Sequence, residues 1–193
     1  MSGICGICEP GRAVNSAKVK AMLSALALPG ESQWETQGGQ SATMCVSRRW
    51  DFQQVAAIPG IQIAADAELF NRLELAESLA EKGFDPAKLT PAELLARLYR
   101  ERGISFVNLL DGVFSFALWD EVHQRMLLGI DRLGINSLYW RKESDSLLFG
   151  SRVGALREVQ VAPPEVNLVA LVQYMLLSAV PAPRPESAAC VLN

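Results

Sequence analysis

Residues 112–151 constrain the fold more than any other stretch. They hold four short apolar segments, "GVFSFALWD", "RMLLGID", "SLYWRK" and "LLFGS", separated by turn-sized polar stretches. This spacing predicts an antiparallel meander. The first two segments are apolar at nearly every position, which predicts a sheet region covered on both faces. A sheet covered twice needs helices, and the first half of the chain supplies them. "VNSAKVKAMLSALALPG" puts Val19, Met22, Leu23 and Leu26 on one helical face and ends at Pro29-Gly30. A second helix is predicted around Asn71 to Lys82, closed by Gly83. "LTPAELLARLYRERG" predicts a third: Thr90 is its N-cap, Pro91 its first residue and Glu93 the capping-box partner. Leu95, Leu98 and Tyr99 form its apolar face, Arg100 and Arg102 suit the negative end of its dipole, and Gly103 ends it.

Residues 2–8, "SATMCVSRRW" and "GIQIAAD" read as strands, and residues 31–40, "ESQWETQGGQ", as a loop. The order strand, helix, strands, two helices, strands fits an α+β domain with helices on both sides of paired sheets. "VAPPEV" breaks the chain near residue 163. The apolar run from Leu168 to Val180 follows, 13 residues long. A bilayer span takes roughly 20, so this run reads as a buried or docking helix and no membrane role is expected. The tail "VPAPRPESAACVLN" is proline-rich and linker-like, and the chain is expected to continue beyond it. Residues 1–160 are therefore read as one domain and 161–193 as a helix and connector.

Chemistry is limited by what the chain lacks. Half the residues are hydrophobic, and 18 basic and 21 acidic residues are well mixed. No basic block marks a nucleic-acid footprint. No secretory signal is evident, so a cytoplasmic location with free thiols is expected. Cys5 and Cys8 form a C-x-x-C, but residues three apart on a strand face opposite ways. With one histidine, His123 in an exposed hairpin turn, and no second cysteine pair, no metal and no cofactor is expected. Trp34, Trp50, Trp119 and Trp140 read as core or rim packing. Glu74 and Glu77 read as a solvated helix face.

Six stretches carry a family resemblance: "SGICGI" at the start, "SRRW" at 47–50, "ADAELFN" at 65–71, "TPAELLARLYRERG" at 90–103, "LLDGVFSFALWD" at 109–120 and "IDRLGINSLYW" at 130–140. In order and spacing they resemble the glutaminase domain of asparagine synthases, class II glutamine amidotransferases of the N-terminal nucleophile hydrolase fold. The resemblance runs from residue 2 to about 185, and its last part is similar to the connector leading into an ATP-dependent synthetase domain. It implies a four-layer αββα sandwich, glutamine or a related small amide as ligand, and a synthetase domain as partner in cis or in trans. It also implies that residue 2, once Met1 is removed, is the nucleophile and its α-amine the base. An α-amine titrates near 7.7–8.0, so no histidine is needed.

Residue by residue, the resemblance carries warnings. The family's nucleophile is cysteine, and here Ser2 stands in its place. A thiol with a pKa of about 8.5 is partly ionised near neutrality and a serine hydroxyl is not. The oxyanion-hole asparagine and glycine correspond to Asp66 and Ala67. A carboxylate at 66 repels the developing charge, whereas Ala67 retains an N–H to donate. Arg49 matches the arginine that holds the α-carboxylate of glutamine, with Arg48 turned away. Glu68 matches one acidic group for the α-amine, and Pro91 replaces the other. The segment after the first helix, "PGESQWET", lacks the family's pattern. Ile130 replaces an arginine before Asp131-Arg132, a pair read as stabilising a turn. Three readings follow. The first is a pseudo-glutaminase kept for structure or partner docking, as the family's β-lactam synthetase and lasso-peptide cyclase relatives imply. The second is an active domain supplying ammonia to a synthetase. The third is a Ser2-nucleophile amidohydrolase with another substrate. A Cys→Ser change made for substrate trapping would account for Ser2 but not for Asp66, Ala67 and Pro91.

Overall fold

In the computed structural model, residues 3–27, 33–79, 84–85, 88–160 and 166–178 are described, with the backbone alone for 33–37. Residues 1–159 and 160–193 form two compact units. Among the described residues of the first unit, nine strands make two antiparallel sheets. One is built from β1 (Gly3–Cys8), β2 (Gln33–Gly38), β3 (Ala42–Arg48), β8 (Tyr139–Glu143) and β9 (Ser146–Gly150), in the order β2-β3-β1-β9-β8. The other is β4 (Gln53–Ile58), β5 (Ile61–Leu69), β6 (Gly112–Asp120) and β7 (Arg125–Ile130), in chain order.

Side-chain alternation divides the apolar residues among three cores. Ile4, Met44, Val46, Ala64, Ala117, Trp119 and Phe149 fill the space between the sheets. On the outer face of the first sheet, Cys5, Ile7, Cys45 and Leu148 meet helix α1 (Ser16–Leu26) and the short α4 (Val153–Arg157). On the outer face of the second, Ile63, Ala65, Ala67, Phe114 and Phe116 meet α2 (Arg72–Glu77) and α3 (Pro91–Arg102). Helices, sheet, sheet and helices make the expected four-layer αββα sandwich. Cys5 and Cys8 lie in different cores, as alternation requires.

Local signals placed the helices well. Asn15 caps α1 by accepting the Ala17 N–H, and Val19, Met22, Leu23 and Leu26 are buried; Pro29-Gly30 lies outside the described residues. The Thr90–Glu93 capping box of α3 is formed in both directions, and Leu95, Leu98 and Tyr99 are buried with Leu94. Of the helix predicted over 71–82, α2 covers Arg72–Glu77, and residues 80–83 lie outside the described set.

The strands need three corrections. The stretch read as a loop contains β2, an edge strand paired along its length with β3. Its polar sequence hid it, since one side of an edge strand has no strand neighbour. β4 was not read at all, although it pairs with β5 from Gln53↔Asp66 to Ile58↔Ile61. The four C-terminal segments are not one meander. β6-β7 is a hairpin in the second sheet, and β8-β9 is a hairpin in the first. The loop 131–138 crosses between them. β7 is an edge strand with exposed ends and half-buried middle residues, not a strand covered on both faces.

In the second unit, α5 (Leu168–Leu177) starts where Asn167 Oδ1 accepts the Ala170 N–H at 3.0 Å. Among the described residues, no helix is long and apolar enough to cross a membrane.

Candidate functional site

The inner face of the second sheet changes from apolar to polar along β5: Ala64 is in the inter-sheet core, while Asp66 and Glu68 lie beyond it. There the sheets leave a cavity of about 530 Å³. Register sets its floor. Gln53 on β4 and Ser115 on β6 both stand opposite Asp66, and Val113 stands opposite Glu68, so all five share one face. Arg49, Trp50 and Phe52 line a second side. Ile135, Asn136 and Ser137 come from the crossing loop, and Ser151, Arg152 and Val153 follow β9.

Gln53 organises the floor. Its Oε1 accepts the N–H groups of Arg49 at 2.8 Å and Trp50 at 3.0 Å. With that oxygen committed, its Nε2 donates to Asp66 Oδ2 at 2.9 Å. The Arg49 turn and the Asp66 carboxylate are thus tied through one buried amide. Burial pushes the Asp66 carboxyl above the ordinary carboxylate range, and the bond from Gln53 pulls part of the way back. The Arg49 guanidinium lies over the Trp50 ring, 5.4 Å from its centre. Arg48 instead pairs with Asp51 at 2.7 Å.

Asp131 sets the crossing loop. Its carboxylate accepts the N–H groups of Leu133, Ile135 and Asn136 at 3.0–3.1 Å. The loop so folded delivers the Asn136 side chain, whose Nδ2 donates to the Asp66 carbonyl at 3.2 Å. Asp131 is therefore the turn residue its sequence context suggested. On the far wall, Ile4 N–H donates to Ser151 Oγ at 3.0 Å, and Ser151 N–H donates to Ile4 O at 2.8 Å. A Cβ on Gly3 would meet Ser151 Cβ at 2.5 Å, so only glycine lets the chain approach this wall. Ser2, the residue before it, lies outside the described residues.

Of the residues singled out in the sequence, Arg49, Asp66 and Glu68 come together around the cavity. Two do not. Ala67 points into the outer core, and its N–H, expected to remain available, donates to Phe52 O at 3.2 Å. The strand pairing that begins β4 consumes it. Pro91 starts α3 against the outer face of the same sheet, buried and off the cavity lining. Cys5 faces away from the cavity towards α1 and is held protonated by the Cys45 hydrogen bond and by burial. Burial, with Glu121 and Glu9 nearby, pushes the Cys8 thiol up to about 12. Neither is an activated nucleophile. Trp119 is core, whereas Trp50 and Trp140 are exposed.

Sequence reasoning missed Gln53, Ser115, Asn136, Ser151 and Arg152. Ser115 carried a signal, a single hydroxyl inside the apolar "GVFSFALWD". Gln53 and Asn136 carried none, because their roles depend on partners 13 and 70 residues away.

A model of the glutamine amidotransferase domain matches residues 1–189. A glutamine-hydrolyzing asparagine synthetase of Bacillus subtilis, number 3, is 34% identical over 105 residues, covering 54% of this chain and 16% of its own length. The amidase chry2 of Gibberella zeae is 33% identical over 94 residues, covering 49% and 14%. A glutamine-hydrolyzing asparagine synthetase of Arabidopsis thaliana, number 1, is 35% identical over 79 residues, covering 41% and 13%. The matched segments thus span less than a fifth of these relatives. Among solved structures, the glutamine phosphoribosylpyrophosphate amidotransferase of B. subtilis superimposes with a TM-score of 0.63 at 16% identity, over 81% of this chain and 43% of that one. The likeness is one of fold.

Proposed function

The chain belongs to the glutamine amidotransferase domain family, and on that premise we propose that it is an asparagine-synthase-type glutaminase domain with little or no glutaminase activity. Its ligand pocket is the cavity over Asp66. Ser2 holds the nucleophile position, Arg49 receives an α-carboxylate and Glu68 an α-amine. A synthetase domain, in cis or in trans, is the partner that such a domain would serve by docking rather than by delivering ammonia.

The observation that carries this reading is the state of the two oxyanion-hole positions. Position 66 presents a buried carboxylate, an acceptor-only group when ionised. Position 67 has its N–H committed to Phe52 O. A tetrahedral intermediate would find repulsion where donors are needed. Removal of one such donor costs roughly 10²–10³ in rate, and here neither is offered. Ser2 compounds the defect, because its hydroxyl lacks the acidity of a thiol.

The test is steady-state ammonia release from glutamine by the chain, with Met1 removal verified by mass. The expected rate equals the uncatalysed blank. Sustained turnover at rates typical of enzymes, about 1 s⁻¹ or more, would overturn the reading.

A further inference from the structure

The floor of the cavity is built to receive a donor. Asp66 is 8% exposed, and only its Oδ2 is bonded, to Gln53. Its Oδ1 makes no hydrogen bond among the described residues. Beside it, directly across the β5–β6 pair, Ser115 is 1% exposed, and its Oγ has no hydrogen-bond partner among the described residues. An orphaned buried hydroxyl is costly unless something completes it. A carboxylate oxygen and a hydroxyl side by side offer acceptor sites to a group with several N–H donors. The remaining charges are distributed to suit an amino acid: Glu68 two residues along the same face, Arg49 on the adjoining turn and Arg152 on the opposite wall. Arg152 is half-buried and has no ion pair among the described residues.

We infer that the cavity takes an α-amino acid whose side chain ends in an ammonium or guanidinium group, with that cation seated between Asp66 Oδ1 and Ser115 Oγ. The inference rests on the reading of this cavity as an amino-acid pocket without glutaminase activity. The cation supplies the missing partner to Asp66 and donates to Ser115, while Arg49 and Glu68 hold the α-carboxylate and α-amine. A carboxamide fits less well. Its N–H groups match Asp66, but it brings no charge to a buried carboxylate, and charge-assisted hydrogen bonds are roughly twice as strong as neutral ones.

Calorimetric titration of the full chain with arginine, ornithine, lysine, citrulline and glutamine tests this. At least one basic amino acid should bind about 10- to 100-fold tighter than glutamine, and arginine should exceed its neutral isostere citrulline by a similar factor. Asp66→Asn should abolish that preference while retaining the wild-type circular dichroism spectrum. Should Asp66→Asn fail to fold, Ser115→Ala serves, with an expected loss of about threefold to tenfold in affinity for the cation. Equal or tighter binding of glutamine and citrulline, or a cation preference that survives Asp66→Asn, would overturn the inference. Ammonia release measured on the same samples separates the two readings. Glutamine bound without turnover and without cation preference defeats this inference alone, whereas glutamine hydrolysed at enzymatic rates defeats both.

Discussion

At position 66 a change of one side-chain atom, amide nitrogen to carboxylate oxygen, reverses what the cavity floor can stabilise. Gln53 fixes the consequence, because its oxygen is spent on Arg49 and Trp50 and only its N–H₂ faces residue 66. In Asp66→Asn, the new amide oxygen would accept from Gln53 and its N–H₂ would turn to the cavity. The two proteins should also differ in pH response. A carboxyl whose folded pKa is raised contributes its stability below the unfolded value, near 3.9, and loses it as pH rises through the folded value. The melting temperature of Asp66→Asn should therefore gain on the wild type from about pH 4 upward and then level off. A gap independent of pH would contradict the burial argument. Gln53→Leu should cost about 1–3 kcal/mol in urea unfolding, because it strands two turn N–H groups and the Asp66 oxygen together. The composition of the site was legible at Arg49, Asp66 and Glu68, where the resemblance named positions. Gln53 and Asn136 were not legible, since nothing local marks a glutamine or asparagine that works through a strand partner or a loop.

Helix α3 and the crossing loop are the elements that hold the site from outside. The capping box starts α3, and Thr90→Ala should lower stability by about 1 kcal/mol. Leu95, fully buried against the outer face of the sheet, should cost about 2–5 kcal/mol when cut to alanine. Both losses should appear in denaturant unfolding without changing the order of ligand preference, because α3 lies on the face opposite the cavity. The loop behaves otherwise. Burial raises the Asp131 carboxyl, but the N–H groups of Asn136, Ile135 and Leu133 outweigh it and hold the pKa below the ordinary range. Asp120 has the same balance: burial acts upward, and hydrogen bonds from the His123 backbone, the Tyr99 hydroxyl and the His123 ring act downward more strongly. A lowered folded pKa gives stability that is present above about 3.9 and lost as pH falls through the folded value. Acid should thus weaken the β6–β7 turn and the crossing loop. Asp131→Ala should remove the loop's share of that acid sensitivity and weaken ligand binding, because Asn136 loses its support. Helices were readable from caps and periodicity. β2 and β4 were not, because a polar edge strand and a short strand of Gln, Val and Ala lack the alternation that announces burial.

On the scale of the whole unit, the four apolar segments at residues 112–151 suggest one antiparallel meander; the strands are antiparallel but are divided between two sheets. Their pattern specifies hairpins, but the choice of sheet is made by the loop at 131–138, whose decisive feature is one carboxylate accepting three backbone N–H groups. That crossing brings Ile135, Asn136 and Ser137 to the lining of the cavity. The fold thus keeps the cavity and sets Arg49, Asp66 and Glu68 around it, while Pro91 serves the start of α3 on the opposite face. We propose that Asp66, more than Ser2, would keep the domain from hydrolysing glutamine. The most direct measurement is ammonia release by the wild type, Ser2→Cys, Asp66→Asn and the double variant, as a double-mutant cycle. Blank rates are expected for the wild type and Ser2→Cys, with a rise of about 10²-fold when Asp66→Asn is added to Ser2→Cys. Full activity in Ser2→Cys alone, or in the wild type, would contradict the proposal.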